Sequence, residues 1–208
     1  IAAYEMAFRM QASVPELMDV SKEPRHILEM YGAKPGDGSY ASNCLLARRL
    51  AERGVRFIQL FHRGWDQHGN LPTQLAVQCR DTDQPSAALV KDLKRSGLLD
   101  SIIVHWGGEI GRLPVTEGDP NGGGRDHNGQ GFSMWLAGGG IKPGMACGRT
   151  ADFGHHAVEN IVTPNDYQAT VLHQFGLDWR HLVYHHNGRE EIITNHRPAR
   201  IVADILTK

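Results

Sequence analysis

The chain has 208 residues, of which 22 are Lys or Arg and 23 are Asp or Glu, and a formal net charge of −1. This balance and the shortness of the apolar runs exclude a basic nucleic-acid surface and a bilayer-spanning segment, so we expect neither nucleic acid nor membrane as a partner. Three cysteines without CxxC spacing argue against a disulfide framework and a structural zinc knot.

Helical patterns occupy the first part of the chain. Apolar residues at helical spacing in 2–19, interrupted near Pro15, and a short pattern over 23–32 closed by a glycine predict two helices. Residues 1–38 are therefore expected to be a helical lead-in. A third helix, capped by Ser42, should end at Gly54.

Three apolar runs of strand length follow: VRFIQLF (55–61), SIIVHW (101–106) and FSMWLA (132–137). A helical pattern over 72–98 lies between the first two. This alternation is typical of a mostly parallel sheet with helices on both faces. We therefore expect one α/β domain over residues 1–208.

The last elements carry clear local signals. Thr163 and Pro164 should begin a helix that Gly176 ends. Residues 180–195 contain an Asn-Gly pair between two β-like arms, which predicts a hairpin.

Polar residues with metal-ligand or anion-binding chemistry cluster where the predicted strands end or begin: His62, Asp66, His68; Glu109, Arg112; Arg125, Asp126, His127. Ligands of open parallel sheets bind past the carboxyl ends of the strands. The third cluster lies in a loop between the glycine runs 122–124 and 138–140. Such a loop either lets backbone approach something closely or turns sharply.

Imidazole and carboxylate donors together suit a divalent cation, zinc first, with manganese or calcium as alternatives. In an extended loop, Asp66-x-His68 places both side chains on one side, and His127 is expected to complete the set when its glycine-rich loop folds back. A lone DxH triplet also occurs in solvated turns. Arg112 and Arg125 are candidates for binding an oxyanion or are ordinary surface arginines.

The segments 42–70, 86–114 and 124–144, with the helix and hairpin that follow, resemble the C-terminal half of an uncharacterised bacterial sulfatase-like family in the alkaline phosphatase superfamily. The resemblance implies a three-layer α/β/α sandwich, truncated at its N-terminus. It also implies that Asp66, His68 and His127 bind a first metal and that Glu109 serves a second. Ile110 stands where that second site usually has a histidine.

The resemblance implies hydrolysis of a small sulfate or phosphate ester, with the nucleophile outside this chain and this fragment inactive. Two other functions stay open: a degenerate relative that binds a metal or a sulfated ligand without turnover, and a structural module whose histidines bind nothing. We also expect self-association through an exposed sheet edge. Localisation stays open, with export one alternative; no signal peptide is visible in the chain.

Overall fold

The computed structural model describes Glu5 and residues 14–207. The chain divides into two compact units. The first comprises the described residues of Ile1–Leu98 together with the segment Glu117–Gly124. The second comprises Leu99–Thr116 and the described residues of Arg125–Lys208. The prediction of one domain over 1–208 stays a prediction.

Helices make up most of the first unit: α1 (Arg25–Tyr31), α2 (Tyr40–Glu52) and α3 (Leu71–Arg95), with a 3₁₀ helix at Val20–Lys22 and a helical stretch at 14–18. The rest of the predicted first helix lies outside the described residues. Gly32 ends α1 in the left-handed conformation (φ 70°), as predicted. The cap of α2 is Ser39, three residues before the predicted Ser42, and its side chain accepts a hydrogen bond from the Ser42 backbone N–H at 3.1 Å.

The core of the first unit forms where α1, α2 and α3 pack together. Tyr31, Cys44 and Leu45 are completely buried, and Ala88 of α3 is 2% exposed. Beside this core, Arg48 pairs with Glu23 at 2.7 Å, and its Nε lies 3.3 Å from the buried Asp92 carboxylate. Full burial of a leucine side chain such as Leu45 stabilises a domain by about 1.5–3 kcal/mol.

The predicted strand 55–61 does not form. Within the part of the chain that the structure describes, these residues pair with no strand, and Phe57 and Phe61 are 78% and 80% exposed. Leu60 packs against the helical core instead. An apolar run becomes a strand only when another strand satisfies its backbone groups. The expected self-association through a sheet edge stays a prediction.

The second unit contains four antiparallel strand pairs: β1 (Ile103–Trp106) with β4 (Trp135–Gly138), β2 (Gly111–Arg112) with β3 (His127–Asn128), β5 (Arg149–Thr150) with β6 (Ala157–Glu159), and β7 (Val183–His186) with β8 (Arg189–Ile192). The predicted three-layer sandwich with a mostly parallel sheet is therefore wrong. Parallel pairing needs a crossover, usually a helix. The connection 107–134 contains no helix, and it returns the chain so that SIIVHW and the end of FSMWLA run antiparallel.

Local signals near the end of the chain agree with the structure. Helix α4 (Pro164–Gln174) begins at the predicted Thr163 cap, which also forms a capping box that was not predicted, with Thr163 and Asp166 side chains accepting from each other's backbone N–H groups. The predicted hairpin is β7–β8, with Asn187 and Gly188 at φ 51° and 74°. In the described residues, every helix is too short or too polar to span a bilayer.

Candidate metal site

A histidine held between two carboxylates is the main feature of the first unit. His68 Nε2 lies 3.1 Å from Asp66 Oδ1, and His68 Nδ1 lies 2.8 Å from Glu117 Oε2. Asp66 and His68 were predicted site residues. Glu117, 49 residues further along the chain, was not predicted.

Glu117 reaches His68 because the segment 117–124 folds into a tight turn. The backbones of Glu117 and Gly124 exchange two hydrogen bonds, at 3.0 and 3.1 Å. This turn lies against the loop that follows His68: Gly69 forms a bridge with Gly123, and the Asn70 N–H donates to the Gly122 carbonyl at 2.5 Å. The turn therefore holds the Glu117 carboxylate beside the imidazole.

The glycine run 122–124 allows this close approach. A Cβ on Gly124 would lie 2.5 Å from the Gly69 nitrogen, and still closer to the Gln67 carbonyl oxygen and the His68 carbonyl carbon. A residue with a side chain therefore cannot occupy this position without moving the backbone. Of the two roles considered for the glycines, close approach of backbone is the one found here.

Two side chains brace the loop that carries Asp66 and His68. The Trp65 indole N–H donates to His62 Nδ1 at 3.0 Å, and the Gln67 side-chain amide donates to the Gly64 carbonyl at 2.5 Å. Gln67 is 5% exposed. The loop therefore has fixed internal contacts, which a site that binds an ion without large rearrangement requires.

The donor atoms have the spacing of two ligands on one ion. Two donors about 2.0–2.1 Å from a tetrahedral zinc ion are separated by roughly 3.3 Å, and Asp66 Oδ1 and His68 Nε2 are 3.1 Å apart. Glu117 accepts at Nδ1, which favours the tautomer with its lone pair on Nε2. A carboxylate on the far nitrogen of a histidine is the usual support of a metal-binding imidazole.

The site is open to solvent. The side chains of Asp66, His68 and Glu117 are 57%, 43% and 43% exposed. Structural zinc sites are closed by four protein ligands, whereas catalytic sites keep a position for water or substrate. The arrangement therefore has the character of a site where an ion meets solvent.

The other predicted site residues lie in the second unit: Glu109, Arg112, Arg125 and His127. The Arg112 guanidinium donates to Glu109 at 3.1 Å and to two backbone carbonyls of its own loop. His127 is the register partner of Arg112 in the β2–β3 pair. Arg125 donates to the Thr116 hydroxyl at 3.2 Å. The structure thus brings Glu109, Arg112 and His127 onto one short strand pair and its loop.

Comparison with protein families gives a match that covers nearly the whole chain. A family model described as a protein of unknown function (DUF1501) covers residues 1–206. No curated protein and no solved structure matches the chain. The match is to an uncharacterised family, and nothing in it points to a sulfatase-like member of the alkaline phosphatase superfamily. That assignment from resemblance is wrong, as is the sandwich that it implied.

Proposed function

The chain belongs to the DUF1501 family, whose description names no activity, and we propose that it binds one divalent metal ion through Asp66 and His68. We further propose that it uses the ion to hydrolyse a small phosphate or sulfate ester. The observation that carries the proposal is the position of His68 between the Asp66 and Glu117 carboxylates. Zinc suits this donor set best, with manganese as the alternative.

Each residue has a distinct role in this proposal. Asp66 and His68 are the ligands, and Glu117 is the positioning residue that orients the imidazole. His127 and Glu109 stay predicted ligands from the sequence. A bound divalent ion supplies a Lewis acid and lowers the pKa of a water ligand, which makes that water a nucleophile near neutral pH. This chemistry needs no serine, threonine or cysteine beside the ion.

The first experiment measures zinc affinity by competition with a chromogenic chelator. His68→Ala or Asp66→Asn should abolish stoichiometric zinc binding. Glu117→Gln should weaken it by about 10–100-fold, the usual cost of losing the carboxylate behind a metal-binding histidine. Asp119→Asn is the matched control, because Asp119 lies in the same turn but accepts from the Asn121 backbone N–H. Equal affinities for the two turn variants would refute the role of Glu117.

His127 needs its own variant. If His127 is a further ligand, His127→Ala should lower zinc stoichiometry or affinity while circular dichroism shows an unchanged fold. Unchanged zinc binding would remove His127 from the site and leave Asp66 and His68 as its ligands.

The second experiment tests turnover with aryl phosphate and aryl sulfate esters in the presence of zinc or manganese. Activity that is lost in chelator and in His68→Ala would support hydrolysis. Tight zinc binding with no turnover of either ester class would instead favour the second candidate, a protein that binds a metal or an anionic ligand without catalysis. The ion pair that already engages Glu109 with Arg112 favours this candidate, because it competes with any role of Glu109 as a ligand of a second metal.

A further inference from the structure

A separate pocket lies in the second unit, beside the end of the β7–β8 hairpin. Its volume is about 330 Å³, at the small end of the range of ligand sites. The lining residues that matter here are Trp179, Arg180, Thr194, His196 and Arg197. Within the described part of the chain, no residue that lines the pocket is acidic.

The cations of this pocket differ in what they already bind. The Arg180 guanidinium donates to both Asp178 carboxylate oxygens, at 2.7 to 3.2 Å, and lies 5.3 Å from the centre of the Trp179 ring. Asp178 therefore neutralises Arg180. Among the residues that the structure describes, the Arg197 guanidinium has no hydrogen bond and no ion pair. Arg197 is the cation that remains for a ligand.

The backbone that carries Arg197 is held in an uncommon conformation. Asn195 and His196 both have positive φ, at 48° and 58°, which non-glycine residues adopt rarely. Two backbone hydrogen bonds hold this turn, from Asn195 N–H to Ile192 and from Arg197 N–H to Thr194. Thr194 is 2% exposed. The turn places His196 and Arg197 side by side at the pocket.

We propose that this pocket binds a small organic anion with a flat apolar body. Its phosphonate, phosphate or carboxylate group would accept hydrogen bonds from Arg197 and His196, and its ring would lie against the Trp179 indole. Guanidinium recognises oxyanions through paired N–H donors, and an indole offers a large apolar face. This proposal is independent of the metal site.

The test is calorimetric titration with phenylphosphonate in the presence of a chelator. The carbon–phosphorus bond of phenylphosphonate resists hydrolysis, and the chelator removes any ion from Asp66 and His68. We expect saturable binding at one site and the same affinity in His68→Ala. Arg197→Gln should weaken binding by about ten- to a hundredfold. Arg189→Gln is the control, because Arg189 is an exposed arginine of the same hairpin outside the pocket.

A second pair of variants tests the ring contact. Trp179→Leu should lower the ratio of the affinity for phenylphosphonate to that for methylphosphonate by roughly three- to tenfold. Trp135→Leu should leave this ratio unchanged. Near-UV circular dichroism checks that each variant keeps its fold. Arg197→Lys should bind phenylphosphonate with an affinity between those of the unsubstituted chain and Arg197→Gln. The proposal is overturned by non-saturable binding, by equal weakening in the two arginine variants, or by an unchanged preference in Trp179→Leu.

Discussion

Gly124→Ala tests whether the turn 117–124 positions Glu117. A methyl group at this position would lie 2.5 Å from the Gly69 nitrogen, and ordinary contacts of a Cβ begin at 3.4 Å. Relieving this contact alone moves the turn by about 0.9 Å. If Glu117 moves with the turn, its 2.8 Å contact with His68 lengthens to about 3.7 Å, which is beyond hydrogen-bond range.

The energetic cost follows from overpacking. Inserting a methyl group into a close-packed position destabilises a protein by about 1–3 kcal/mol. For a chain of this length, each kcal/mol lowers the melting temperature by about 2–4 °C, so we expect a decrease of roughly 2–12 °C. Zinc affinity should fall to about the level of Glu117→Gln, because both changes remove the same support from His68.

Gly122→Ala is the matched control in the same glycine run. A Cβ on Gly122 has open space around it and the backbone needs no positive φ. Alanine there should stabilise the chain by about 0.4–1 kcal/mol, since it restricts the unfolded chain more than the folded one. The measurements are differential scanning calorimetry and zinc titration on both variants. Equal melting temperatures in the two variants would refute the close approach of the turn to the loop.

Three further predictions concern stability and reactivity. Arg48→Met should cost about 3 kcal/mol in chemical denaturation, because Arg48 pairs with buried carboxylates, whereas the exposed Arg25→Met should cost about 0.5 kcal/mol or less. Burial would raise the pKa of Asp166, but hydrogen bonds from Thr163 and Arg200 outweigh it and lower the pKa below its ordinary 3.8. The stability that its carboxylate contributes is therefore present above pH 3.8 and is lost as the pH falls through the lowered pKa. In thermal melts, Asp166→Asn should destabilise the chain by about 1–2 kcal/mol at pH 6 and by less near pH 2. Burial raises the pKa of the Cys44 thiol to about 11, so peptide mapping after alkylation at pH 8 should find Cys147 modified and Cys44 protected. A Cys44 alkylated in the folded chain would contradict its burial.

Elements with local signals could be predicted from the sequence. Gly32 after α1, the Thr163 cap of α4 and the Asn187-Gly188 turn each depend on residues within one turn of chain. The same reasoning placed α3 at 72–98, close to its observed bounds, although Pro85 lies inside it. Caps and turns are determined by neighbouring backbone groups, which a sequence displays directly.

Strand pairing could not be predicted in the same way. Val104 pairs with Ala137, and nothing in either apolar run indicates the direction of its partner. The connection between two strands decides whether they pair in parallel. This connection contains no helix, so the two strands pair antiparallel, although the alternation of helical patterns and apolar runs had predicted a parallel sheet. Residues 55–61 show the same limit, because apolar composition indicated burial while Phe57 and Phe61 are exposed.

The candidate site was predicted in part. Asp66 and His68 are two residues apart, so their proximity follows from the sequence alone. Glu117 was missed because its contact with His68 depends on the way the backbone of Gly124 lies against Gln67–Gly69. The glycine run was a visible signal of close approach, but a sequence does not say which backbone is approached.

The membership of Glu117–Gly124 in the first unit has a consequence for synthesis on the ribosome. The first unit is interrupted at Leu98, and 18 residues of the second unit, Leu99–Thr116, emerge before its last segment begins. At about 5–20 residues per second, the helices can pack for roughly 1–4 s between the emergence of Leu98 and that of Glu117. The nascent chain therefore carries Asp66 and His68 without Glu117 during this interval, and under the proposed function an ion would gain the support of Glu117 only after translation has passed Gly124.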